Sequence, residues 1–416
     1  MTKQNPANYR LLTTIFITVF IDLLGIGIII PVIPSIFYEE GSQFFTVDID
    51  VQRKAMYYGI LLACYPFMQF FGAPILGALS DRFGRKPVLM VSLIGTLIGY
   101  LLFAYSIVSH NLLLLFVSRM IPGFTGGNIA ILTSSIADIS DKESRTRNFG
   151  LIGMAFGIGF ILGPTIGGVL SDNTVVPWFD HYVPFLFTAG LALVNFILVY
   201  FFFKETLVHK LQTSISPFKG VQNIFTSFSS PNLRAVFTVV FLISVGFTFY
   251  TQFFSVYLLE KFDFKEKEIG LLYGYIGVWL AIVQGVLVRY LSYRMPPKRI
   301  LMGSLPLLAL ALGLVLLPTS GWMFYVVNPL IAIAYGITSP NVTSIVSSQA
   351  DETLQGSILG INQSMLSLGQ MITPVIGGVL VGINIHYPLI ASATIIVLAA
   401  VIFYISRSKI LYDGKA

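Results

Sequence analysis

The chain is short of what water-soluble proteins and most enzymes are made from. Of its 416 residues only 11% are Asp, Glu, Lys or Arg. A soluble domain carries about a quarter, so this one cannot cover itself for water. Cys64 is the single cysteine, which excludes a disulfide framework and a thiolate metal site. The four histidines, His110, His181, His209 and His386, stand apart near span ends or in a linker. None has a neighbouring ligand or nucleophile, so neither a metal centre nor an enzyme is expected. No Gly-x-x-x-x-Gly-Lys-Ser/Thr stretch is present, and direct use of ATP is not expected. The apolar runs also lack the period-two alternation of an outer-membrane barrel.

What is abundant is apolar sequence, 55% of the chain. Crossing about 30 Å of hydrocarbon takes roughly 20 apolar residues in a helix. Twelve such runs are legible, over 11–38, 55–79, 87–106, 111–138, 148–171, 184–203, 233–259, 268–291, 299–317, 322–348, 355–381 and 385–406. The expected fold is an all-α membrane protein of about twelve transmembrane helices, with no cleaved signal because the first run is too long for one. Of 25 lysines and arginines, Arg53, Lys54, Lys261, Lys265 and Lys267 fall on one side and Arg119 within a span. The other nineteen share the side of the N-terminus. The positive-inside rule then puts both termini in the cytoplasm of a cell-membrane protein. These basic residues are spread over loops, not gathered on one surface, so no nucleic-acid partner is expected.

The chain also repeats itself. Gly159-Phe-Ile-Leu-Gly163-Pro164-Thr-Ile-Gly167-Gly168 recurs 210 positions on as Gly369-Gln-Met-Ile-Thr373-Pro374-Val-Ile-Gly377-Gly378. The same offset maps Gly126 onto Gly336, Asp141 onto Asp351 and Gly150 onto Gly360. A repeat of this size predicts two homologous six-helix bundles, 1–203 and 233–416, joined by a polar linker over 204–232. Its segment 217–228 could lie on the membrane as a short amphipathic helix. Paired homologous halves are a transporter layout.

Between the second and third spans stands Gly77-Ala-Leu-Ser-Asp81-Arg82-Phe-Gly84-Arg85-Lys86. The two glycines allow a tight turn and close helix approach, Asp81 is an acid at a helix end, and Arg85 offers a fork of donors. The second half has only Gly285-Val-Leu-Val-Arg289, without the aspartate. Asp22 and Arg119 are ionisable residues deep inside spans, and such residues are functional candidates by default. At ~1.5 Å per residue Asp22 lies roughly 16 Å into the first span, and Arg119 is ~18 Å from the same edge. Their charges are expected to interact. Gly159, Gly163 and Gly167 recur every four residues, a small-residue face for close helix packing.

Four patches carry a resemblance. The Gly77–Lys86 stretch resembles the signature of the major facilitator superfamily. Ile21-Asp22-Leu-Leu-Gly25-Ile-Gly27-Ile-Ile-Ile-Pro31, Arg119-Met-Ile-Pro-Gly123 with Ile136-Ala-Asp138, and Gly157–Gly168 are similar to the first, fourth and fifth spans of its drug/proton antiporters related to tetracycline exporters. The resemblance implies the major facilitator fold and a cytoplasmic latch of Gly77, Asp81, Arg82, Gly84 and Arg85. In it Asp81 would meet a helix of the opposite half and Arg85 would meet Asp138. It also implies an antiporter helix bent by Pro164, with Gly168 among its glycines. Asp22 would carry the coupling proton. One departure is the ninth span, which has no acid over 300–317, where the tetracycline exporters carry an essential one.

Polar and aromatic positions inside spans are the cavity candidates: Gln69, Asn128, Tyr250, Gln252, Tyr257, Tyr273, Trp279, Gln284, Asn341, Asn362, Gln363 and Gln370. Amides beside rings suit a bulky, partly apolar ligand, and singly each is equally consistent with helix packing. Two readings follow. One is a proton-driven exporter of amphiphilic small molecules, needing no cofactor beyond the proton gradient and expected to be monomeric in the bilayer. The other is a facilitator or symporter of sugars, peptides or siderophore-type metabolites on the same fold.

Overall fold

The computed structural model describes residues 6–38, 44, 49–140, 145–207, 218, 221–222, 224–225, 231–348 and 355–407. Most of the 204–232 linker, with its expected surface helix, lies outside them, as do Asp141, Asp351 and His209. Among the described residues every regular element is a helix. Within lipid only a helix or a closed barrel satisfies all backbone groups internally.

In the first half the elements are α1 (Pro6–Tyr38), α2 (Val51–Phe83), α3 (Arg85–Val108), α4 (Leu112–Thr125), α5 (Asn128–Ile139), α6 (Arg145–Leu170) and α7 (Val183–Phe202). In the second they are α8 (Pro231–Phe262), α9 (Glu266–Ile282), a π-helical turn (Val283–Leu287), α10 (Val288–Arg294), α11 (Pro297–Leu314), α12 (Phe324–Ser347), α13 (Gln355–Ile383) and α14 (Tyr387–Ser406). Among the described residues eleven helices are long and apolar enough to cross a membrane, and a shorter apolar stretch, Gly157–Leu170, ends α6. Two spans are interrupted. The fourth breaks between α4 and α5 at Gly126–Gly127, and the eighth carries the π turn between α9 and α10.

Cα packing divides the chain into two compact units: Met1–Thr46 with Cys64–Lys219 and Glu266–Gly274, and Val47–Ala63 with Gly220–Lys265 and Tyr275–Ala416. Each unit therefore takes in a short piece of the other half's sequence. Repeat-related helices pair alike: α1 packs on α6 and α7, and α8 packs on α13 and α14. Outward-facing residues include Leu113, Phe201 and Ile405, each about 70% exposed, as expected of side chains that meet acyl chains. Trp178 and Trp322, beside span ends, are also exposed, where amphipathic rings prefer the interface.

The α1–α6 contact shows what the four-residue glycine spacing does. A Cβ on Gly163 would stand 2.8 Å from Gly27 Cα and 2.8 Å from Leu24 O; one on Gly27 would stand 2.9 Å from Pro164 Cδ. Gly159 sits against Leu23, Gly167 against Ile28, and Gly168 against the backbone of Glu266. The helices touch backbone to backbone, and no side chain can yield. Gly163→Leu should therefore push α1 and α6 apart. The expected cost is about 1–3 kcal/mol, the usual range for overpacking, read as a lower melting temperature in detergent. A variant that melts with the wild type would show this contact to be loose.

Candidate transport site

Asp22 sits halfway along α1, which enters with Leu11, Leu12, Ile15 and Val19 all buried. A carboxyl in that setting needs a partner, and it finds one at the break in the fourth span. Gly126 and Gly127 form a turn in the α region, which ends α4 and leaves Asn128 as the first residue of α5. Asn128 Nδ2 donates to Asp22 Oδ2 at 2.7 Å. The N-terminus of α5 is also the positive end of a helix dipole, which favours a nearby anion. Position 127 admits only glycine because the turn runs against α2, where a Cβ would stand 2.6 Å from Ala73 Cα. Gln69 Nε2 donates to Gly126 O at 3.1 Å, bracing the freed carbonyl.

Arg119 does not meet Asp22. Among the described residues no acid pairs with it, and its Nε has no hydrogen-bond partner. Its guanidinium lies over the ring of Tyr65, 4.9 Å from the centroid. The expected charge pair is thus replaced by two separate arrangements, carboxylate on amide and guanidinium on ring. Tyr65 and Tyr100 lie within electrostatic range of both charges, and the Tyr65 hydroxyl comes up against Gly126. The break starts α5 at Asn128, and Asn128 takes the carboxyl.

The second cluster lies where α2 turns into α3. Gly84 has φ of 113°, a region that side-chain-bearing residues avoid, so the turn there needs glycine. Gly77, by contrast, has nothing within 4 Å of a Cβ and makes no close approach. Arg85 is buried and spends its fork on three acceptors: Nε to Asp138 Oδ2 at 3.1 Å, Nη1 to Asp81 Oδ1 at 2.6 Å and to Ser80 Oγ at 2.7 Å. Asp81, near the end of α2, is therefore taken by the first residue of α3, four positions on. Arg82 is exposed and lies over the Phe83 ring. Glu205, which the sequence reading missed, accepts from the amides of Arg85 at 2.9 Å and Lys86 at 3.1 Å. Thr206 Oγ1 also donates to Asp138 Oδ2 at 2.9 Å. The signal for Glu205 was present: an acid just past the sixth span, at a distance where a short return brings it to the N-terminus of α3.

Of the cavity candidates, Gln69 and Asn128 join the Asp22 neighbourhood. Tyr250 is fully buried and donates to Asn328 Oδ1 at 3.1 Å, and Tyr257 accepts from Lys261 Nζ at 2.9 Å. Both belong to a ring cluster with Phe254 and Phe324. Gln252 contributes its carbonyl to the Tyr58 hydroxyl. Asn341 turns back to Ile337 O at 2.7 Å, and Tyr273 is buried. Asn362 is buried and Gln363 and Gln370 are exposed on α13. Gln284 sits in the π turn, half-buried; such turns often mark functional positions.

The histidines are less isolated than their sequence spacing suggests. His181 Nε2 is 2.9 Å from Glu266 Oε1, and His386 Nε2 is 3.1 Å from Lys261 Nζ. Burial and the Lys261 charge lower the His386 pKa from its ordinary 6.5, so Lys261 finds a neutral ring that can accept. Among the described residues no group of three or more His, Cys, Asp or Glu could hold a metal.

The Major Facilitator Superfamily model matches residues 15–369 and 279–413. The chain belongs to this superfamily. Its relatives include the class H tetracycline resistance protein of Pasteurella multocida, 30% identical over 383 residues, 91% of each chain. Multidrug resistance protein 2 of Bacillus subtilis (strain 168) is 27% identical over 409 residues, 95% of this chain and 96% of that one. A D-xylose–proton symporter has the same fold, with a TM-score of 0.78 at 15% identity, covering 98% of this chain and 99% of the other. This major facilitator protein thus has resistance proteins among its relatives over nearly its whole length.

Proposed function

We propose that this protein is a proton-coupled antiporter that exports drugs or other amphiphilic small molecules across the cytoplasmic membrane by alternating access, with both termini in the cytoplasm. The carrying observation is Asp22: a carboxyl buried in mid-span, held among the described residues by one amide at a helix break. Such a group can lose and regain a proton without dismantling a salt bridge. The drug-resistance relatives support an amphiphilic substrate. Tetracycline itself is disfavoured, because the ninth span lacks an acid. The Arg85 cluster acts in this reading as a cytoplasmic latch that holds one conformation and opens in another.

Fluorescent amphiphile uptake into proteoliposomes with an imposed pH gradient tests the reading. Accumulation should appear with the gradient and vanish when a protonophore collapses it. Flux indifferent to the gradient across a broad compound panel would move the assignment to a facilitator of metabolites.

A further inference from the structure

Arg119 is a cation taken out of water with no counter-ion among the described residues. It is 5% exposed, and arginine cannot shed its proton in a protein. Burying an unpaired charge is costly, and the Tyr65 ring offsets only part of that cost. Asp22, the acid placed to neutralise it, is committed to Asn128. Two buried polar atoms in this unit remain unpartnered and of opposite kinds. Arg119 Nε is a donor seeking an acceptor, and Asn128 Oδ1 is an acceptor seeking a donor. Tyr65 joins the two points, with its face under the guanidinium and its hydroxyl beside Gly126 in the turn before Asn128. Tyr100 adds a second phenol next to Gly25 of α1. All of these residues lie within one compact unit.

We propose that Arg119 is the anchor for an anionic group of the substrate, so that this transporter selects amphiphilic organic anions such as aromatic carboxylates. The carboxylate accepts from the guanidinium, and the aromatic body packs against Tyr65 and Tyr100. A ligand N–H or O–H beside the carboxylate reaches Asn128 Oδ1. Asn128 then bridges ligand and Asp22, its Oδ1 accepting from the one and its Nδ2 donating to the other. The inference deepens the export reading and rests on transport, but not on proton coupling.

Equilibrium binding to the purified full-length protein in detergent, with no pH gradient, tests it. The probes are three radiolabelled pairs of one skeleton each, an arylacetate and its neutral amide, beginning with 1-naphthaleneacetate and 1-naphthaleneacetamide. A hydrogen bond to a charged group predicts an acid preference of about 10- to 100-fold. Arg119→Gln should bring the acid-to-amide ratio to about one, and Arg119→Lys should retain part of the preference. Equal binding within every pair, no binding of any acid, or a ratio unchanged in Arg119→Gln would overturn the proposal. So would displacement of the acids by equimolar chloride, which would mark an inorganic-anion site. If the variants do not fold, the wild-type ratio alone decides. Failure of a pH gradient to drive flux would sink the export reading while leaving a measured anion preference standing.

Discussion

Asp22→Asn should still insert, fold and bind substrate, yet lose the ability to build a substrate gradient from a proton gradient. The argument is thermodynamic. With the membrane potential clamped at zero, one exchanged proton at a pH difference of one unit supplies ~1.4 kcal/mol, enough for a roughly tenfold substrate gradient. An asparagine keeps the shape of the side chain and can keep a hydrogen bond to Asn128, but it cannot carry the proton. The accumulation ratio should fall from about ten to one. Exchange of labelled for unlabelled substrate across the membrane, which needs no proton, should persist. A variant that still concentrates substrate in response to the gradient would remove Asp22 from the coupling step. Loss of exchange together with accumulation would instead make Asp22 a binding or folding residue. Asp22→Glu should restore part of the coupling, because the carboxyl returns, though a longer side chain must shift in the space beside Asn128.

How much of this was legible in the sequence depends on whether the signal was a period, a spacing or a three-dimensional return. The spans were plain, since twenty apolar residues in a row have few alternatives to a membrane helix. The glycine face of α6 was also plain: a four-residue period of Gly159, Gly163 and Gly167 has to meet another backbone, and it meets Leu23, Gly27 and Ile28 of α1. The depths of Asp22 and Arg119 followed from helix rise, but their pairing did not. Two residues at one depth can point to different neighbours, and the break at Gly126–Gly127 decides the direction by delivering Asn128 to Asp22. The sequence shows two adjacent glycines there, which permit a break without requiring one. The surroundings of the aromatic cavity candidates were hidden for a related reason. Tyr250 and Tyr257 have polar tips that find Asn328 and Lys261 within the core, and composition cannot tell a satisfied tip from one kept for a ligand. Glu205 was missed because its partners lie 119 and 120 residues away.

The Arg85 cluster carries the other large expected effect. Arg85 is the only cation bonded to Asp81 and Asp138 among the described residues, and its three bonds leave from two different nitrogens. In Arg85→Gln two acids that now share one guanidinium would face each other with no positive charge between them. Breaking a buried pair costs 3–5 kcal/mol when one charge is stranded. Here the acid side chains keep 28% and 23% of their exposure, so the lower end, about 3 kcal/mol, is expected. Arg85→Lys should recover little, because an ammonium is a point charge and cannot span Asp138, Asp81 and Ser80 as a planar fork does. Glu205→Gln removes only the negative charge at the N-terminus of α3 and should cost about 1 kcal/mol. The stability losses are read from melting temperatures in detergent. If the cluster is a latch, Arg85→Gln should also change the rate of substrate exchange at saturating substrate while leaving the binding constant within about twofold, because the latch biases conformations and touches no ligand. An unchanged exchange rate in a protein that melts earlier would reduce the cluster to a structural tie at the α2–α3 turn.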